Sequence, residues 1–374
     1  MKIISICSPG LEDIAALEVK ELCKVESILR DGAIIFETTK EKILDYCYLA
    51  QAPYKILAHL EDKDFNTQKD IEKFTEKINL SEWINANTTF KAICTREGKH
   101  NFTSEEIARK TGDIIQQKTN LQVNLTTPDI LVHFHIQNNN CYVGIDLTKL
   151  DHSKRDYKLF SPPETLKATI AFALIKLAKY APKEKLLNIF TGSGVIAIEA
   201  ALSASKKSIN YYQKNKLQFQ NFAPFKETYF EGYYDKLDKK VKMDNLQIYA
   251  YDNTLSNVKS AQKNSKISGI SKIIHISKVD TEWLDTKFEE NEIDKIVTYL
   301  PSPSKRKEDK VTKKIYTELF YQTEFILNPK GLLVTAIRNN KLLLEAQKES
   351  KIQLVEERQI MQGKCPLYIN IFKK

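Results

Sequence analysis

Metal-ligating and membrane-seeking residues are conspicuous here by how little they cluster. The six cysteines, at 7, 23, 47, 94, 141 and 365, include no C-x-x-C pair. That spacing argues against a zinc site and reads as reduced thiols in a cytoplasmic protein. His133 and His135 stand two apart on one predicted strand with no third ligand nearby, and His59 sits alone among apolar neighbours, so no metal is expected. No secretory leader is legible, and no apolar run approaches the roughly 20 residues that cross a bilayer, so no membrane association is expected. What the chain does have is length and positive charge. Its 374 residues accommodate two or three domains, 42% of them hydrophobic and 28% charged, as in soluble globular proteins. The formal net charge of +9 favours polyanionic partners.

The stretch from Lys185 to Ala201, KLLNIFTGSGVIAIEAA, organises the rest. An apolar run enters a tight Gly192-Ser193-Gly194 turn and a helical pattern follows from Val195. This is the strand–loop–helix unit that begins a doubly wound α/β domain. The glycines permit close backbone approach to a ligand, and the helix start presents free N–H groups. The turn lacks G-x-G-x-x-G spacing, which sets aside a nicotinamide-dependent enzyme. Downstream, Leu246–Tyr251 reads as a second strand ending in Asp252, placed to accept hydrogen bonds from a ribose diol. A third strand leads to Asp280, and a fourth, Lys295–Thr298, enters the proline loop Tyr299-Leu300-Pro301-Ser302. Glycine turn, acid, acid and proline loop, each after a strand, make the layout of an S-adenosylmethionine-dependent methyltransferase.

Ahead of this domain, residues 1–61 alternate strand and helix signals in a small α+β unit. Residues 62–150 form a second unit. It holds a strand at Thr88–Thr95, a polar basic loop at 96–104, and a helix capped by Thr103 or Ser104. Two strands, Ile130–Gln137 and Cys141–Asp146, close it. A linker, 151–164, carries Pro162-Pro163, and a docking helix follows over Thr165–Tyr180. Within the last domain, 165–374, an insert at 203–245 is dense in Tyr, Phe and Lys. Such a mixture suits base stacking on RNA, but it is read first as burying its aromatics on the domain surface.

The segments R-E-G-K-H-N-F-T-S from Arg96, T-T-P-D-I-L-V around Pro128-Asp129, G-I-D-L-T near Asp146 and K-R-D-Y from Lys154 together resemble the THUMP RNA-binding domain. Ser8–Leu22 is similar to the ferredoxin-like domain that precedes THUMP, and SPPETLKATIAFALIKLA is similar to the family's linker helix. Across the whole chain the resemblance is to THUMP-containing tRNA guanine-N2 methyltransferases of the acceptor stem. The subgroup rests on Leu300-Pro301 and the Lys/Arg-rich stretch after it. The resemblance implies a ferredoxin-like unit, a THUMP domain and a Rossmann-like class I methyltransferase domain. That last domain has a mostly parallel sheet and a C-terminal antiparallel hairpin at Ile352–Gln359 and Leu367–Phe372. It also implies a monomer that holds the tRNA acceptor end, with Arg96, Lys99, His100, Lys154 and Arg155 contacting RNA. S-adenosylmethionine is implied as cofactor, on Asn188, Thr191, Gly192, Ser193, Gly194, Asp252 and Asp280.

Two departures from the family pattern bear on the chemistry. Tyr299 stands where an Asn oxygen and its neighbour aim the guanine amine, and Ser302 stands where an aromatic stacks on the base. Asn188 replaces a carboxylate, which removes the charge from one expected contact with the cofactor's ammonium. Methyl transfer is expected to be impaired. The alternative is a catalytically degenerate RNA-binding protein that keeps the scaffold.

Overall fold

The structure is a computed structural model that describes residues 1–85, 87–303 and 309–374. The Lys/Arg-rich stretch after Pro301 lies largely outside the described residues. These residues form two compact units, Met1–Asp151 with Asn210–Leu237, and His152–Ile209 with Asp238–Lys374.

The first unit opens with β1 (Lys2–Ile6), α1 (Glu12–Cys23), β2 (Ile28–Arg30), β3 (Ala33–Glu37), α2 (Lys40–Leu49) and β4 (Lys55–Asp64). This β-α-β-β-α-β order is ferredoxin-like. Sequence reading passes over β2, three exposed residues without apolar alternation. There follow α3 (Gln68–Thr75), β5 (Thr89–Glu97), α4 (Ser104–Thr119), β6 (Gln122–Val123), β7 (Ile130–Gln137) and β8 (Asn140–Asp146). A reciprocal capping box, Thr103 with Glu106, starts α4 where the sequence places it. β4 pairs antiparallel with β1 and also with β8. The boundary expected at 61/62 therefore falls inside a strand. One eight-stranded sheet, ordered β2-β3-β1-β4-β8-β7-β5-β6, runs through both expected domains.

All eight residues of β7 are buried, including His133 and His135. The Thr95 hydroxyl lies 2.8 Å from His133 Nε2 and 2.8 Å from His135 Nδ1. One hydroxyl serves both rings by donating to one and accepting from the other. Burial pushes both imidazoles down to about 3, so both are neutral at physiological pH.

The second unit begins with α5 (Ala168–Leu177), β9 (Lys185–Ile189) and α6 (Val195–Ser205). The chain then contributes residues 210–237, including most of α7 (Phe230–Asp238), to the first unit. There Phe219, Phe222 and Phe225 are buried, and Phe222 packs edge-on against Trp83 with ring centroids 5.5 Å apart. The Tyr233 hydroxyl donates to Asp45 at 2.7 Å. The expected insert 203–245 thus buries its aromatics in the first unit's core, not on the surface of the catalytic domain. Composition signals that apolar rings will be covered, but not by which surface. Tyr212 and Tyr229 stay exposed.

The second unit resumes with β10 (Gln247–Asp252), α8 (Leu255–Ile267), β11 (Ile274–Lys278), β12 (Ile293–Tyr299), α9 (Asp309–Ile326), β13 (Leu327–Ile337), α10 (Lys341–Gln347), β14 (Gln353–Gln362) and β15 (Cys365–Lys373). Its sheet runs β11-β10-β9-β12-β13-β15-β14, parallel except for the last two strands, which form the antiparallel hairpin. Leu187, Ile189, Ile296, Leu319 and Phe320 fill the core beside this sheet. Strand order reverses at β9, between β10 and β12, so a crevice opens beyond their carboxyl ends.

Candidate active site

Three loops meet at that crevice. The first, after β9, is built by a buried asparagine. Asn188 Nδ2 donates to the Val297 carbonyl at 2.9 Å, and Asn188 Oδ1 accepts the Thr191 hydroxyl at 2.6 Å. Two positive-φ residues, Phe190 at 54° and Gly192 at 54°, reverse the chain, and Gly194, at 81°, starts α6. A Cβ on Gly194 would sit 2.9 Å from Ala261 Cβ, so glycine is needed there for α6 to pack on α8.

The second loop follows β10. Asp252 is buried, and its carboxylate accepts Gly192 N–H at 3.0 Å, Thr254 N–H at 2.9 Å and Asn257 Nδ2 at 3.1 Å. A carboxylate has about four acceptor positions, so one remains for a ligand hydroxyl in this arrangement. The diol grip expected of Asp252 is thus mostly spent on shaping the glycine turn.

The third loop follows β12. Leu300 N–H donates to the Ala336 carbonyl at 2.9 Å, and the buried Tyr316 donates its hydroxyl to the Pro301 carbonyl at 2.5 Å. The hydroxyl oxygens of Tyr299 and Ser302 are buried; that of Ser302 has no hydrogen-bond partner among the described residues, and that of Tyr299 has the Arg338 guanidinium as its polar neighbour. Burial raises the Tyr299 phenol above its ordinary range, against the opposing pull of Arg338. Tyr299 is therefore neutral at physiological pH.

These loops enclose a cavity of about 670 Å³. Thr191, Gly192, Ser193, Asp252, Asp280 and the whole Tyr299–Ser302 loop line it together. Asn188 and Gly194 lie outside the lining, one shaping the turn from below and the other packing helices. The sequence reading placed Asn188 against the ligand. The structure corrects this, because both ends of its amide are already bonded within the protein. Sequence reasoning also missed Phe190, Asn257 and the linker residues Pro162, Pro163 and Glu164, all of which line the cavity. Pro162-Pro163 was legible only as a stop signal. The buried Asn264 holds the linker in place: its amide bonds both the N–H and the carbonyl of Phe160 and donates to the Ser193 carbonyl at 2.8 Å.

Lys99 and Lys154 are exposed and Arg96 is half-buried. Arg96 donates to His100 Nδ1 at 3.2 Å, and His100 Nε2 donates to the Asn138 carbonyl at 2.7 Å. Both ring nitrogens of His100 are thus engaged in holding their own loop. Arg155 is corrected outright. Its buried guanidinium makes a fork with Glu199, 2.9 Å from Nε to Oε1 and 2.9 Å from Nη2 to Oε2, and Tyr157 donates to the same carboxylate at 2.7 Å. A side chain so enclosed does not reach an RNA phosphate. Sequence alone shows the charge but not its buried partner 44 positions away.

Among the described residues no cluster of three metal-ligating side chains occurs, and no helix is long and apolar enough to cross a membrane. Residues 155–367 match the model of an RMKL-like methyltransferase domain, and residues 65–146 match the THUMP domain. The chain is 30% identical over 370 residues to the tRNA (guanine(6)-N2)-methyltransferase of Methanocaldococcus jannaschii, covering 95% of each. It is 25% identical to the enzyme of the same name from Archaeoglobus fulgidus, over 98% of this chain and 90% of that one. Among solved structures, TrmN from Thermus thermophilus aligns with a TM-score of 0.72 at 20% identity, covering 100% of this chain and 99% of that one. The putative methyltransferase SMU.472, complexed with SAH, aligns with a TM-score of 0.81 at 16% identity, covering 100% and 97%. The chain thus belongs to the RMKL-like methyltransferase family and carries a THUMP domain ahead of its methyltransferase domain.

Proposed function

We propose that this protein transfers a methyl group from S-adenosylmethionine to the N2 amine of a guanine at the acceptor end of tRNA. One observation carries the reading: a single cavity joins the glycine turn and Asp252 to the Tyr299–Ser302 loop, so cofactor and target share one space. The residues present suit the cofactor. Asp252 keeps one acceptor position for a ribose hydroxyl, and a Cβ on Gly192 would meet only Pro162, at 3.7 Å, so the turn leaves room for close approach. Bound there, the cofactor supplies an electrophilic methyl on a sulfonium. The protein's own part is positioning: hydrogen-bond acceptors turn the amine's lone pair toward the methyl. A base within a stem must be extruded to enter. Lys99, Arg96 and Lys154 are the cations proposed to meet RNA phosphates, and a monomer acting in the cytoplasm fits this reading.

A second reading, an RNA-binding scaffold without turnover, is favoured by the loss of the Asn and the aromatic at Tyr299 and Ser302. Two measurements separate them: calorimetric titration with S-adenosylmethionine, and methyl transfer to unmodified tRNA with nucleoside analysis of the product. Cofactor binding with N2-methylguanosine formation supports the enzyme. Protein that binds tRNA but neither binds cofactor nor transfers a methyl group leaves the scaffold. Tyr299→Asn is expected to raise kcat, because an amide oxygen reaches the amine more directly than a phenol.

A further inference from the structure

The linker supplies what the altered proline loop lacks. Glu164 lines the same cavity as Tyr299 and Ser302. Its side chain is 56% exposed, and two side chains, Gln362 and Arg338, border this part of the linker. Gln362 Oε1 accepts Lys167 N–H at 2.8 Å and Gln362 Nε2 donates to the Thr165 carbonyl at 3.2 Å, gripping the backbone just after Glu164. Arg338, one residue beyond β13, donates from Nη1 to Glu164 Oε1 at 3.0 Å. Among the described residues that is the one bond recorded on the carboxylate, so Oε2 and a second lone pair of Oε1 remain as acceptors. Arg338 also acts electrostatically on Tyr299, so the carboxylate, guanidinium and phenol form one local group.

We propose that Glu164 is the residue that reads the target base, its carboxylate accepting the adjacent N1–H and N2–H donors of an extruded guanine. This inference rests on the guanine-N2 reading above. Guanine is the one standard base whose Watson–Crick edge offers two neighbouring donors. Adenine and cytosine place an acceptor beside the amine, and uracil flanks its one N–H with carbonyls. A carboxylate accepts both guanine donors and repels an acceptor, so it binds and selects together. With N1–H and one N2–H held by Glu164, the N2 lone pair forms the new N–C bond as the methyl C–S bond breaks and its electrons stay on sulfur. The proton that N2 then sheds passes to Glu164 and on to water.

The test uses full-length protein and unmodified tRNA. The wild-type product is analysed first, then kcat, KM, tRNA affinity and cofactor affinity are measured for Glu164→Ala, Glu164→Gln and Glu164→Asp. Glutamine keeps the shape but opposes one guanine donor with its own NH2. The expected result is a fall in kcat of about ten- to hundredfold for Ala and Gln, from one lost charge-assisted pair. Asp should recover part of it, with cofactor affinity within twofold of wild type. Ala or Gln variants that keep kcat within twofold while forming N2-methylguanosine would overturn the role of Glu164 and leave the guanine-N2 reading standing. A wild-type product methylated at another atom would overturn that reading, and this inference with it.

Discussion

Replacing Asp252 gives the sharpest test of the cofactor end of the cavity. Its carboxylate is filled by Gly192 N–H, Thr254 N–H and Asn257 Nδ2, with one acceptor position open. Asp252→Ala removes that position and also unpairs the Gly192 N–H that sets the turn. Losing one hydrogen bond to a charged acceptor costs about 1.5–3 kcal/mol, or roughly ten- to 150-fold in affinity for S-adenosylmethionine. The freed Gly192 N–H adds to this by loosening the turn. Asp252→Asn is not expected to restore binding. Whichever way its amide lies, the NH2 faces either Gly192 N–H or the donors of Thr254 and Asn257. Calorimetric titration of both variants, with thermal melting to confirm that each is folded, reads the effect. A folded Asp252→Ala protein that binds cofactor within twofold of wild type would refute this account of the site.

Three further outcomes are expected. Glu199→Ala strands the buried Arg155 charge and should lower unfolding free energy by about 3–5 kcal/mol, read from denaturant midpoints; a paired Glu199→Leu, Arg155→Met variant should lose much less. His133 and His135 bind protons in the unfolded chain near pH 6.5 but in the folded one only near 3. The unfolded state therefore holds more protons between these values. The pair's contribution to stability is complete above about pH 6.5 and is lost as pH falls toward 3, by up to about 1.4 kcal/mol per pH unit per histidine. Urea titrations at pH 7 and pH 5 measure this, and a His133→Leu, His135→Leu variant that keeps the full slope would contradict it. Finally, tRNA binding should weaken steeply with salt, and Lys99→Ala should reduce the log–log slope by about one; an unchanged slope would remove Lys99 from the RNA surface.

Much of the architecture was legible because it rests on local patterns. Lys185–Ile189 is an apolar run that ends in glycines, and no other local structure suits that order as well as a strand turning into a helix. Asp252 follows an apolar strand for the same reason, and Thr103 with Glu106 announces its helix start. These signals need no knowledge of distant residues. The sequence by itself therefore determined the main strand–helix order of the methyltransferase layout and the three loops that meet at the cavity.

Partnership across long separations was decided only in three dimensions. Arg155 reads as a free cation until Glu199 is found beneath it, and Asn188 reads as a ligand contact until Val297 and Thr191 take up its amide. The aromatics at 219–225 read as an insert of the methyltransferase domain, yet they are buried in the first compact unit. Glu164 carried no signal in a proline-rich linker, and it lines the cavity beside Arg338, 174 positions away in sequence. Periodicity records which side of an element is covered. What covers it, and which charges meet beneath that cover, follows from how the whole chain closes on itself.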